Sequence, residues 1–127
     1  MSHFTRLKTR LQDKAALIAA LQDLGYTVID KPGQIRGYGA TSQAVEFKFR
    51  PSPLSYEIGF QRSTEGYEII SDWFGVRGLK RDEFIRKLTQ RYAYHLARQQ
   101  LEAQGFTLAE EQVDAQGCIH LRLRRMV

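Results

Sequence analysis

The sequence predicts an α+β fold of two layers, an antiparallel sheet with two helices laid on one face, in the order β-α-β-β-β-β-α-β-β. Three observations carry that prediction. Apolar residues recur at helical spacing in only two stretches, Leu17 to Leu24 and Phe84 to Leu96. Elsewhere they alternate with polar residues, as on a half-buried strand. The alternating segments follow one another through short turns, which suits antiparallel neighbours and leaves the helices to cover one side.

The elements follow in chain order. His3 to Leu11 alternates, with Thr5, Leu7, Thr9 and Leu11 on one face and Phe4, Arg6, Lys8 and Arg10 on the other. Asp13 is placed to N-cap the first helix, because its carboxylate can accept from the orphan N–H groups that follow. Leu17, Ile18, Leu21 and Leu24 form that helix's apolar stripe, and Gly25 stops it. Tyr26 to Asp30 reads as a short strand, followed by the turn residues Lys31-Pro32-Gly33 and a glycine-punctuated run to Ala40. The next strand sets Val45, Phe47 and Phe49 against Glu46, Lys48 and Arg50, and Pro51-Ser52-Pro53 breaks it. Tyr56, Ile58 and Phe60 alternate with Glu57, Gly59 and Gln61; Ser63 to Gly66 turns the chain into the Tyr67 to Asp72 strand. The second helix is expected over Arg81 to Gln104, with Phe84, Ile85, Leu88, Tyr92 and Leu96 inward and Gly105 beyond its end. Phe106 to Val113 and Cys118 to Met126 close the chain as a hairpin.

With 127 residues, 43% apolar and 26% charged, the chain is expected to form one domain, 1–127, with a core that needs no covalent staple. A single cysteine, Cys118, excludes an internal disulfide and suits a reducing compartment. No stretch approaches the roughly 20 apolar residues that span a bilayer, so a cytoplasmic protein is expected. The run Tyr67 to Val76 concentrates the only tryptophan, Trp73, with Phe74 and Gly75 behind the carboxylate of Asp72. Apolar surface that large is either buried or offered to a partner.

No residue pattern compels an enzyme. Cys118 and His120 share a strand face, yet His3 and His95 have no spacing that would complete a four-ligand zinc site. A regular strand also lacks the strained elbow that presents a nucleophile. Asp82 and Glu83 sit where they complement a helix dipole. Gly33, Gly37 and Gly39 open no helix and hence no phosphate cradle. Asp72 alone stays open between a cap and a functional carboxylate. No catalytic residue, metal ligand or cofactor is therefore expected.

Charge is the one bias: nineteen Lys and Arg against fourteen Asp and Glu, a net +5, which favours acidic partners. At about 100° per residue, Lys80, Lys87, Arg91 and Arg98 fall in one stripe beside the second helix's apolar face, with Tyr94 and His95 close by. Arg77 and Arg81 add charge at the helix start, against its dipole. A second set, Arg6, Lys8 and Arg10 with Lys48, Arg50, His120, Arg122 and Arg124, would make the sheet's outer face cationic around Phe4, if all these strands share one sheet.

Met1-Ser2-His3-Phe4, Arg36-Gly37-Tyr38, Tyr56 to Phe60, Asp72-Trp73-Phe74-Gly75 and Gln90-Arg91-Tyr92-Ala93 together resemble an uncharacterised family of cyanobacteria and algal plastids named for a hypothetical chloroplast reading frame. The likeness is collinear over most of the chain, with Phe74 where members often have a second tryptophan. It implies a cyanobacterial cytosol or plastid stroma and an accessory role in the photosynthetic apparatus, and it supplies no catalytic residue. Two readings result. The first is an interaction module that docks an acidic protein through Lys80, Lys87, Arg91, Arg98 and the Asp72-Trp73-Phe74 region. The second is an RNA-binding protein using Arg6, Lys8, Arg10, Arg122 and Arg124 on the sheet face.

Overall fold

A computed structural model describes residues 3–125; Met1, Ser2 and the expected strand end at Met126 lie outside the described residues. The main sheet has five antiparallel strands in the order β1-β7-β6-β5-β2: β1 Thr5–Lys8, β2 Val28–Ile29, β5 Phe47–Phe49, β6 Ile58–Arg62 and β7 Tyr67–Ser71. Two helices, α1 Lys14–Asp23 and α2 Arg81–Ala103, pack together on one face. The α+β class and the predicted succession of strands and helices hold. Ala16, Leu17, Ala20 and Leu21 of α1 and Phe84, Leu88 and Tyr92 of α2 meet Phe47, Phe49, Ile58, Phe60, Tyr67 and Ile69 of the sheet in one buried cluster. Phe47 and Phe60 stack with ring centroids 4.9 Å apart, an offset contact that adds to their area burial.

Both ends of α1 are set locally. The Asp13 carboxylate accepts from the Ala16 N–H at 2.9 Å, and Gly25 follows the helix at φ +92°, a conformation that favours glycine. The Tyr92 hydroxyl of α2 accepts from the N–H groups of both Gln12 and Asp13 at 3.0 Å, so the second helix fixes where the first begins.

The other face of the sheet departs from expectation. The glycine-punctuated segment forms a further hairpin, β3 Gly33–Arg36 with β4 Ser42–Val45, laid against that face. Ile35 and Val45 pack with Ile70 and Phe4 in a second, smaller cluster. A Cβ added to Gly59 would stand 2.3 Å from Val45 Cγ1, so glycine is what lets the hairpin lie this close. Val45 thus faces away from Phe47 and Phe49, not with them. The predicted strand is interrupted at Glu46, whose N–H donates to the Phe60 carbonyl at 2.8 Å, and the side-chain alternation restarts there.

The last two strands also stand apart from the main sheet. β8 Phe106–Val113 and β9 Ile119–Arg125 pair only with each other among the described residues. The register shifts between Leu108 and Glu110. Neither strand contributes to either core cluster.

Candidate interaction surface

Asp72 is 2% exposed and acts as a structural fastener. One carboxylate oxygen accepts from the Tyr38 N–H at 3.0 Å, the other from the Phe74 N–H at 3.3 Å. The carboxylate joins the tip of the β3–β4 hairpin to the 3₁₀ turn Trp73–Gly75. A third loop is fastened to the same turn. The Tyr56 N–H donates to the Gly75 carbonyl, the Arg77 N–H to the buried Ser55 hydroxyl, and the Ser52 hydroxyl to the Arg77 carbonyl. Gly75 lies so close to the Tyr56 ring that a Cβ would meet it at 2.2 Å.

These three loops carry the most exposed large apolar side chains near the turn: Tyr38 at 61%, Leu54 at 90% and Phe74 at 68%. Trp73 instead packs partly buried against the main core, with the Arg81 guanidinium 5.8 Å from its ring centre and no acceptor for its buried indole N–H among the described residues. Arg36, Arg77, Lys80 and Arg81 are exposed in and beside these loops. None of the four makes an ion pair among the described residues. The Arg77 guanidinium donates to the Phe74 and Val76 carbonyls, which braces the turn and leaves its charge without a carboxylate partner among the described residues.

The helical stripe behaves otherwise. Lys80 precedes α2 in extended conformation and so lies off the helical wheel. Lys87 pairs with Glu83 at 2.8 Å and Arg98 with Glu102 at 2.7 Å. Arg91 bridges Asp23 at 2.7 Å and Glu111 at 3.2 Å, and His95 also contacts Asp23. Burial alone would raise the Asp23 carboxyl, but hydrogen bonds from Arg91 and His95 outweigh it and hold that group below its ordinary value. Glu111 also accepts from the Tyr94 hydroxyl. Lys87 and Arg98 are thus paired within α2, while Arg91, His95 and Tyr94 form an internal clamp joining α1, α2 and β8.

The cationic sheet face is divided as well. Arg6 lies 3.7 Å from Glu68 and donates to Gln43 of the hairpin; Lys48 pairs with Glu57. Lys8 and Arg10 are exposed at the edge strand, while Arg122 and Arg124 sit on the separate β8–β9 ribbon. His120 contacts Asp114 at 2.9 Å, and Cys118 is exposed. Among the described residues no three His, Cys, Asp or Glu side chains gather as a metal site would require, and no helix is long and apolar enough to cross a membrane.

Sequence reasoning singled out Asp72, Trp73 and Phe74 but missed Tyr38 and Leu54. Their signal was a large apolar residue between glycines, Gly37-Tyr38-Gly39, and another beside a proline, Pro53-Leu54. Such residues in turn-forming context have no core to enter.

A family described as "Protein of unknown function (DUF1257)" matches residues 20–122. The chain belongs to this family. Similar proteins, each named "Uncharacterized protein ycf35", occur in Guillardia theta (32% identical over 126 residues), Cyanophora paradoxa (29% over 126) and Pyropia yezoensis (30% over 128), with 98% of both chains covered in every case. This agrees with the resemblance to a hypothetical chloroplast reading frame noted from the sequence. No solved structure matches the chain.

Proposed function

We propose that this member of the DUF1257 family is a non-enzymatic interaction module. It docks an acidic protein on the Tyr38–Leu54–Phe74 surface. The carrying observation is the combination of three exposed apolar side chains on hydrogen-bonded loops with four cations that make no ion pair among the described residues. Apolar anchors on a fixed scaffold lose little conformational freedom on binding, and a cationic rim steers an acidic partner toward them. The algal relatives, named for a hypothetical chloroplast reading frame, support seeking that partner in the photosynthetic apparatus. No observation favours the RNA reading, because its arginines lie on two sheets and Arg6 is engaged by Glu68.

The test starts with affinity isolation from a phototrophic host, followed by calorimetric titration of the recovered partner. Phe74→Ala and Leu54→Ala should each weaken binding by about tenfold, with unchanged thermal stability. Lys80→Glu with Arg81→Glu should weaken it further and flatten its salt dependence. Affinity indifferent to all four substitutions would remove the proposal.

A further inference from the structure

The β8–β9 ribbon carries a feature that the docking surface does not use. α2 packs against β8, with Gln90 donating to the Gly117 carbonyl and Arg91 and Tyr94 both reaching Glu111. β9 is therefore the outer strand, and β8 is its only strand neighbour among the described residues. Its seven residues, Ile119 to Arg125, contain neither proline nor glycine. Such a strand presents a row of unpaired backbone donors and acceptors. From Ile119 to Arg124 its side chains alternate. Ile119, Leu121 and Leu123 are half-buried on the side that faces α2, while His120, Arg122 and Arg124 are exposed on the other.

We propose that the free edge of β9 accepts an extended peptide segment by strand addition, and that the segment alternates acidic and apolar residues. Backbone pairing supplies the register, and the alternating side chains of β9 supply the selectivity. Incoming carboxylates fall beside Arg122 and Arg124; incoming apolar side chains extend the row of Ile119, Leu121 and Leu123. Charge decides against the other occupants. Arg122 has one distant carboxylate, Glu110 at 3.6 Å, and is 79% exposed, and Arg124 has none among the described residues, its strand partner being Thr107. A second copy pairing β9 to β9 would set arginines against arginines, and β8 to β8 would set Glu110 and Glu111 against their equivalents. Cations on an edge strand are a familiar guard against self-association; here they repel the β9 of another copy and attract an acidic strand. Single-stranded nucleic acid would need stacking platforms, and β9 carries no aromatic side chain apart from the His120 imidazole.

This site is independent of the Tyr38–Phe74 surface, and its test uses a synthetic probe, so either proposal can fail alone. The full chain, isotopically labelled, is titrated with a dodecapeptide alternating Glu with Val and Leu. Amide shifts and slowed hydrogen exchange should be confined to Ile119–Arg125. Arg122→Gln with Arg124→Gln should weaken binding at least tenfold, whereas Arg86→Gln, an exposed cation elsewhere, should leave it unchanged. Equal binding of a peptide with Lys in place of Glu would overturn the proposal. So would preference for an oligothymidylate, protection of β9 amides by self-association alone, or the absence of binding.

Discussion

At the scale of the residue, Asp72 resolves an ambiguity that sequence left open. A carboxylate before an aromatic turn reads equally as a cap or as a catalytic acid. Burial and two backbone N–H donors identify the cap. Removing it leaves the Tyr38 and Phe74 donors without an acceptor, a loss of about 1–3 kcal/mol. Asp72→Ala should therefore lower the urea midpoint with an unchanged slope, and Asp72→Asn should lower it less. A variant as stable as the parent would show that the fastening is not needed. Tyr67 illustrates the same use of polar groups inside a core. Burial, together with the nearby Glu46 carboxylate, pushes its phenol up to about 12, so at neutral pH it stays protonated and packs as part of the core while its oxygen accepts from Arg62.

At the scale of the element, the helices and the main strands were legible, and the β3–β4 hairpin was not. The periodicity of Leu17, Leu21, Phe84, Leu88 and Tyr92 marks a continuous buried stripe, and those residues form the core. The hairpin buries essentially two side chains, Ile35 and Val45, too few to produce a period. Its glycines at 33, 37 and 39 read as loop. The legible clue was on the opposing strand, since Gly59 stands in the polar row between Glu57 and Gln61 where another backbone approaches. Gly59→Ala should cost about 1–3 kcal/mol by overpacking against Val45, and Val45→Ala in the same chain should recover much of it. Additive losses in that double-mutant cycle, measured by chemical unfolding, would show that the two sites do not touch.

At the scale of the whole molecule, the positive balance is unevenly spent. Charge placement along α2 was readable as a stripe, but its neutralisation was not. Asp23 and Glu111 lie 68 and 20 residues away from Arg91, and only the tertiary fold brings them together. That clamp predicts an acid-sensitive assembly. The Asp23 carboxyl is held below 3.8 in the folded state, so its contribution is complete above that value and is lost as pH falls through the lower folded-state value. Thermal midpoints recorded between about pH 2 and 6 should fall more steeply for the parent than for Asp23→Asn. Identical profiles would mean that the α1–α2–β8 clamp does not couple to folding. Among the exposed cations without an ion pair in the described residues are four at the Tyr38–Phe74 end and Arg124 on β9, and the binding proposals rest there and not on the helix.

The solitary indole at position 73 adjoins Phe74 while its ring stays half inside the core and beneath Arg81. The native chain consequently carries its own optical reporter. A ligand that settles on the neighbouring phenyl ring or draws the guanidinium aside alters the polarity around the molecule's one tryptophan, so occupancy is readable as a colour shift in unlabelled protein.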